Sequence, residues 1–346
     1  MKYRYLGKSG LAVAVVGLGT ATFGQSRWGC DEATALAILD AYADEGGNFI
    51  DTADKYGDQP GASELIIGRW LVGQQRDDFV IASKCFFETS ADINARGLSR
   101  KHIIKACEAS LRRLGTDYLD LYQMHVPDPF TPLDETLSTL DHLVRQGKVR
   151  YVGCSNYPAW QVAKAYGLAE RNGHTRFISG QYLYNLLKRD IEAEILPACA
   201  DSGVGVLCWS PLSGGMLTGK YRDSDTPPAQ TRMAERSEVS VERYKQWVKN
   251  SSELVQHLVY IAERDKVSPG VVSLAWLLSD LRITAVVVGV KRPDQIHDLS
   301  RAGDWEIPKA DWDVLEKLSR GMHPYPHDIY SYIDKEIALN WFTRIR

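Results

Sequence analysis

A carboxylate, a phenol, an ammonium and an imidazole follow short apolar runs in the first half of the chain. Asp51 and Tyr56 lie in Asp51-Thr52-Ala53-Asp54-Lys55-Tyr56-Gly57, Lys84 follows Phe79-Val80-Ile81-Ala82, and His125 follows Leu119 to Met124. Together these four suit the reduction of a carbonyl. A hydride arriving at a carbonyl carbon builds negative charge on oxygen, so a proton donor must be waiting there. A free phenol, with a pKa of about 10, donates poorly at neutral pH. Lys84 nearby would favour phenolate and lower the pKa of Tyr56, and Asp51 would hold the ammonium in place. His125 would hydrogen-bond the substrate oxygen and orient it. Singly, each has an ordinary reading: an aspartate caps a turn, a tyrosine packs, a lysine meets water, a histidine satisfies a carbonyl. Their place after three consecutive apolar runs reverses that preference.

Those runs belong to an alternation that fills most of the chain. A hairpin (Tyr3 to Leu6, Leu11 to Ala14) precedes a first strand at Val15 to Leu18 and a helix from an N-cap near Asp31 through Ala43. Strands follow at Asn48 to Ile50, Phe79 to Ala82, Leu119 to Met124, Val149 to Val152, Phe177 to Gly180, Val204 to Cys208 and Ala285 to Val288. Helices separate them, among them one capped by Ser99 and closed by Gly115, and one with Pro132 in its first turn. Strands alternating with helices pair in parallel, because a parallel neighbour needs a crossover. A count of eight and this length favour a (β/α)8 TIM barrel over an open doubly wound sheet. Gly17-x-Gly19 does not argue for the open sheet: the third glycine of a dinucleotide fingerprint would fall at Thr22, and a tight loop under the substrate pocket is the better reading.

Chemistry in such barrels sits at the carboxyl ends of the strands. Strands two to eight release Asp51, Ser83-Lys84, His125, Ser155-Asn156, Gln181, Trp209-Ser210 and Gly289 there, a concentration that scattered surface polarity would not give. The polar stretch Tyr221 to Lys249, with Pro227-Pro228, reads as a long βα loop after strand seven, over the barrel mouth. Residues 1–346 read as one domain, with 321–346 as a C-terminal extension on the mouth or across the base.

Composition excludes several classes. The 346 residues are 44% hydrophobic and 25% charged, with 41 basic against 44 acidic residues and a formal charge of −3. No basic stripe invites nucleic acid or a membrane surface. No apolar run approaches the ~20 residues of a membrane span, and Met1 to Leu11 lacks the apolar core of a signal peptide. The six cysteines form no C-x-x-C pair and no metal-ligand spacing, so they read as buried free thiols of a reducing compartment, the cytoplasm.

The chain resembles the aldo-keto reductase superfamily. The resemblance is carried by Gly47 to Gly57 with Ser63-Glu64-Leu65-Ile66-Ile67-Gly68, by Ser83-Lys84, by Asp117 to His125, and by Gly153-Cys154-Ser155-Asn156-Tyr157. Trp209 to Tyr221 is similar to the loop of members resembling aryl-alcohol dehydrogenases and potassium-channel β subunits. The likeness runs from about Tyr3 to Leu318 with every element in order, a pattern specific for fold and cofactor and less so for substrate.

The resemblance implies a nicotinamide cofactor. Ser155, Asn156 and Gln181 would hydrogen-bond its carboxamide, Trp209 would stack on its ring, and Thr20 would join them at the end of the first strand. Ser210, Pro211, Leu212, Gly214 and Lys220 would wrap the pyrophosphate, glycine letting the backbone approach closely. Gly289, Lys291, Arg292 and Gln295 open the last βα loop, and Pro293 starts its helix. A helix N-terminus with two cations suits a 2′-phosphate, so NADPH is expected over NADH. Asp298 matches the acidic position near the adenosine, with Leu299 where asparagine is often found, and Met233 to Arg236 would clasp the cofactor from the long loop.

Phe23, Trp28, Phe86, Phe87 and Tyr157 fall in the βα loops and would line a pocket for an aldehyde or ketone with a flat, apolar body. No carboxylate- or phosphate-binding cluster stands out, which disfavours a small anionic substrate. Two other functions fit the same residues: NAD(P)-linked oxidation of a sugar or glycoside hydroxyl, and cofactor sensing as the regulatory β subunit of an ion channel. No metal is expected, and a homo-oligomer is compatible with the sequence.

Overall fold

The computed structural model describes residues 1–221, 226–229, 231–234, 240–321 and 325–329. Strands β1 (Tyr3–Tyr5) and β2 (Ala12–Ala14) pair antiparallel as the expected hairpin. Then come β3 (Val16–Gly19), α1 (Glu32–Asp44), β4 (Phe49–Asp51), α2 (Ala62–Leu71), β5 (Val80–Cys85) and α3 (Arg100–Leu114). They are followed by β6 (Leu119–Met124), α4 (Leu133–Arg145), β7 (Val149–Ser155), α5 (Ala159–Asn172), β8 (Phe177–Leu183) and α6 (Ile195–Ser202). The last third holds β9 (Gly205–Trp209), α7 (Val241–Asp265), α8 (Pro269–Ser279), β10 (Ile283–Val288), α9 (Pro293–Ser300) and α10 (Lys309–Ser319). Strands β3 to β10 close into a parallel barrel in the order β10-β3-β4-β5-β6-β7-β8-β9. This is the (β/α)8 barrel that the alternation predicts.

Helix ends follow local chemistry. Asp31 and Ser99 accept hydrogen bonds from the backbone N–H groups of Thr34 and His102, capping α1 and α3. Gly115, Gly173 and Gly203 close α3, α5 and α6 in the left-handed conformation that glycine adopts at least cost.

Strand side chains alternate in direction, and this period of two builds the site. One inward layer, Phe49, Val80, Ala82, Leu121, Leu207, Ala285 and Val287, forms an apolar cluster with Leu6 and Val13 from the hairpin segment. The hairpin plugs the amino-terminal end. Two residues further along the same strands stand Asp51, Lys84, Gln123 and Trp209, on the same faces at the carboxyl end. A Cβ on Gly17 would lie 2.5 Å from the Phe49 ring, so glycine there lets the ring fill the barrel. Gly17 and Gly19 therefore belong to β3 itself; the tight-loop reading of that pair is corrected.

The stretch Tyr221 to Lys249 is not loop throughout. From Val241 it is α7, capped by Ser240 and burying Tyr244, Ser251, Leu254, Val255, Leu258 and Ile261 along one face. Charges on the opposite face gave the segment its polar composition. In the C-terminal extension His327 meets Glu194 at 3.3 Å, while residues 330–346, and with them the expected packing on mouth or base, lie outside the described residues. Among the described residues no helix is long and apolar enough to cross a membrane.

Candidate active site

At the carboxyl end of the barrel, β4 delivers Asp51 and β5 delivers Lys84, both buried. The Lys84 ammonium donates to Asp51 Oδ1 at 2.5 Å, to the Thr52 carbonyl at 2.9 Å and to the Tyr56 hydroxyl at 3.4 Å. The other carboxylate oxygen, Asp51 Oδ2, accepts from Gln181 Nε2 at 2.9 Å and from Gln123 Nε2 at 3.1 Å. His125, just past β6, presents its ring edge-on to Tyr56 with centroids 5.9 Å apart. The four residues expected from sequence thus share one pocket. Gln123 was missed as an anchor of Asp51, although its place two residues before His125 puts it on the same strand face.

Electrostatics assign each group a charge state. Burial pulls the Lys84 pKa down, but Asp51 and Tyr56 more than offset this, so it lies above the usual lysine value and the ammonium persists. For Tyr56 burial raises the pKa and outweighs the lowering by Lys84, whose charge Asp51 opposes. Lys84 lowers the Tyr56 pKa as expected, and it is burial, not foreseen from the sequence, that leaves the phenol above its usual value. Burial, and then repulsion from Lys84, push His125 down to about 3, so its imidazole is neutral at physiological pH. Its Nδ1 is buried without a hydrogen-bond partner among the described residues.

Behind this group lies a second buried cluster. Glu64 on α2 accepts from Ser83 Oγ and from Arg113 Nε, each at 2.6 Å. Asp54 is 1% exposed, and neither of its carboxyl oxygens has a partner among the described residues. Burial first, and then the charge of Glu64, raise its pKa well above the usual carboxylate range. An unfolded aspartate titrates near ~3.9. The folded protein therefore holds this proton to higher pH than the unfolded chain does, and stability falls as pH rises above that value. Asp54→Asn removes this cost while keeping the shape. At pH 7 it should raise the melting temperature by about 2 °C or more, and the gain should vanish near pH ~4. Thermal unfolding at both pH values checks this; an Asn variant less stable at neutral pH would refute it.

Around the mouth, the expected cofactor residues form two groups. Ser155 Oγ donates to the Gln181 carbonyl at 2.9 Å. Asn156, at φ 60°, donates through Nδ2 to the His125 carbonyl at 3.0 Å and accepts from Trp209 Nε1 at 3.2 Å. Gln181 spends its amide nitrogen on Asp51. Thr20 is buried, donating to the Asp51 carbonyl at 3.0 Å and accepting from Ser63 at 2.8 Å, so its hydroxyl holds the strand ends.

The second group gathers cations. After Ser210-Pro211-Leu212 the backbone is left-handed at Ser213, Gly214 and Gly215. A Cβ on Gly215 would lie 2.5 Å from the Lys220 side chain, so glycine lets that lysine fold back over the turn. Desolvation, and then the charges of Lys291 and Arg292, hold the Lys220 pKa below its usual value. These three cations therefore converge. Gln295 Oε1 accepts from the backbone N–H groups of Lys291 and Arg292 at 2.8 and 3.3 Å, shaping the turn that follows Gly289 and leads into α9. Arg292 also grips Asp294 through two bonds of 2.9 Å. Asp298 is half-buried on α9, and Leu299 turns into the core. Met233 packs with Met216, Tyr221 and Tyr244, whereas residues 235 and 236 of the expected clasp lie outside the described residues.

The aromatic pocket needs correction. Phe23 and Tyr157 are 0% and 1% exposed and belong to the core packed outside the barrel, so their rings do not face the mouth. Phe87, 39% exposed, lies edge-on to His125 at 4.9 Å and to the half-buried Phe86 at 5.4 Å. Trp28 lies under the guanidinium of Arg232, 4.8 Å from its ring centroid, a contact sequence spacing does not suggest.

Comparisons agree with this architecture. The model of the aldo/keto reductase family matches residues 15–320. The chain is 39% identical over 330 residues to the uncharacterized oxidoreductase YrpG of Bacillus subtilis, covering 93% of this chain and 97% of that one. It is 35% identical to a protein of Arabidopsis thaliana named as a probable voltage-gated potassium channel subunit beta, covering 96% and 100% of the two chains. To the versiconal hemiacetal acetate reductase of Aspergillus parasiticus it is 31% identical, over 94% and 99%.

Proposed function

The chain belongs to the aldo/keto reductase family, and from that premise we propose that it reduces an aldehyde or ketone with an aromatic or apolar body, using NADPH. The observation that carries this reading is the Tyr56 hydroxyl, 3.4 Å from an ammonium that Asp51 holds at 2.5 Å. When bound, the nicotinamide supplies the hydride. Tyr56, protonated at neutral pH as a phenol with a pKa of ~10 or above must be, gives its proton to the oxygen on which charge grows. Lys84 stabilises the phenolate left behind. Asp51, gripped by Gln123 and Gln181, keeps that ammonium pointed at Tyr56. Neutral His125 donates a hydrogen bond to the same oxygen and orients it without adding charge.

NADPH fits the residues available. Three converging cations repel one another, and a polyanion relieves that repulsion. Lys220 and the left-handed turn at Gly214 would hold the pyrophosphate, with Ser210, Pro211 and Leu212. Lys291 and Arg292, beside Gly289, Gln295 and the start of α9, would hold the 2′-phosphate, and Asp298 would face the adenosine. Ser155, Asn156 and Trp209, with Gln181 and Thr20 behind them, would hold the nicotinamide end. The absence of any disulfide among the six cysteines, five of them buried, supports a reducing compartment such as the cytoplasm. The family match across residues 15–320 supports one catalytic domain.

The test is NADPH consumption with 4-nitrobenzaldehyde, where rapid, saturable turnover is expected. The name of the Arabidopsis relative favours a second reading, a cofactor-binding regulatory subunit. Tight NADPH binding without turnover of any aldehyde would select it. Turnover only with NADP+ and a sugar or glycoside would select oxidation instead.

A further inference from the structure

The first turn of α2 directs its polar side chains at the strand ends that carry the reacting groups. Ser63 is buried there, and its backbone N–H donates to the Tyr56 carbonyl at 3.1 Å. Its hydroxyl lies 2.8 Å from Thr20 Oγ1 and 3.1 Å from Thr52 Oγ1. A hydroxyl has one proton to donate, and Thr20 gives its own to the Asp51 carbonyl at 3.0 Å. The run therefore has a single direction, from Thr52 to Ser63 to Thr20 to Asp51. Thr52 in turn supplies the carbonyl that accepts from Lys84 at 2.9 Å. One serine thus ties Tyr56, the Asp51 backbone and the Lys84 acceptor together.

Glu64, the next residue, reaches the neighbouring strand. Its buried carboxylate accepts from Ser83 Oγ and from Arg113 Nε, each at 2.6 Å. Successive strand residues face opposite ways, so Ser83 meets α2 on the outside while Lys84 meets Asp51 inside the barrel. Held on its outer side, β5 cannot roll and carry the ammonium away. A Cβ on Gly61, at φ 83°, would strike the Arg113 side chain, so glycine lets that guanidinium close over the start of α2. Even when paired, a buried carboxylate is a poor source of stability. Orientation is what this one supplies.

We infer that Ser63 and Glu64 are positioning residues, which together fix the Tyr56 hydroxyl and the Lys84 ammonium at the separation that proton donation requires. This rests on the carbonyl-reduction reading and deepens it. Neither residue touches the reacting atoms. Both act through the contact between Lys84 and Tyr56, which at 3.4 Å is longer than the bonds from Lys84 to Asp51 and Thr52 and so the most easily lost.

Ser63→Ala and Ser83→Ala each cut one tie and leave every reacting group in place. The readout is single-turnover reduction of 4-nitrobenzaldehyde by NADPH, expressed per NADPH-binding site so that unfolded material is not counted. Each variant should turn over about ten-fold more slowly, short of the ~100-fold that a ~1 Å misplacement can cost. KM and NADPH affinity should stay within about two-fold, as for a contribution made only in the transition state. In a Tyr56→Phe background the same substitutions should change the residual rate by less than about two-fold, because the group they act through is gone. Should Ser63→Ala fail to fold, Ser83→Ala carries the same comparison. Losses of equal size in both backgrounds, or no loss with Tyr56 present, overturn the inference and leave the carbonyl-reductase reading intact. A wild-type protein that consumes NADPH with no aldehyde defeats that reading and this inference with it.

Discussion

Tyr56→Phe is expected to lower carbonyl turnover by about 10²–10⁴-fold, the range a positioned acid contributes. NADPH affinity should stay within roughly two-fold, because the substitution removes a hydroxyl and no cofactor contact. The hydroxyl's partner in the structure is the Lys84 ammonium, at 3.4 Å. Lys84 keeps its bonds to Asp51 and to the Thr52 carbonyl when the phenol is gone, so the ion pair and the strand ends survive. The loss should therefore appear in kcat with the fold unchanged. Single-turnover reduction of 4-nitrobenzaldehyde, with NADPH binding followed by fluorescence, measures both quantities. Near-normal rates would remove Tyr56 from the proton-donor role.

Replacing Lys291 and Arg292 together by alanine should weaken NADPH by roughly 100-fold, from two charge-assisted hydrogen bonds, while NADH changes far less. Lys291 and Arg292 flank the start of α9, whose N-terminus also favours an anion. Arg292 is paired with Asp294, but both side chains are mostly exposed. An exposed pair of this kind is worth little and yields to a dianionic phosphate. Titration of the double variant with each cofactor checks the assignment, and equal weakening of the two would count against a 2′-phosphate site.

The legible parts of this protein were those written locally. Period-two alternation in Phe49-Ile50-Asp51 and Val80 to Lys84 announces which side chains share an inner face, and the same rule reaches Gln123 and His125. Asp31, Ser99 and Gly115 mark helix ends through bonds that span three or four residues. The polar half of an amphipathic helix deceived, because the charges of α7 obscured the buried face that runs from Tyr244 to Ile261. Aromatics in loops deceived as well: Phe23 and Tyr157 share the loop setting of Phe87 yet pack into the core.

From the amino-acid order alone came the eight-fold alternation, the residue types at each strand end, and hence the chemistry on offer. Tertiary closure decided what those groups experience. It brought Gln123 and Gln181, 58 positions apart, onto the same Asp51 oxygen, set Arg232 over Trp28, and buried Tyr56 until desolvation outweighed its ammonium neighbour. The reason is one of range. Side-chain direction along a strand is a property of neighbouring residues, whereas dielectric surroundings and cross-barrel contacts exist only once distant segments have packed.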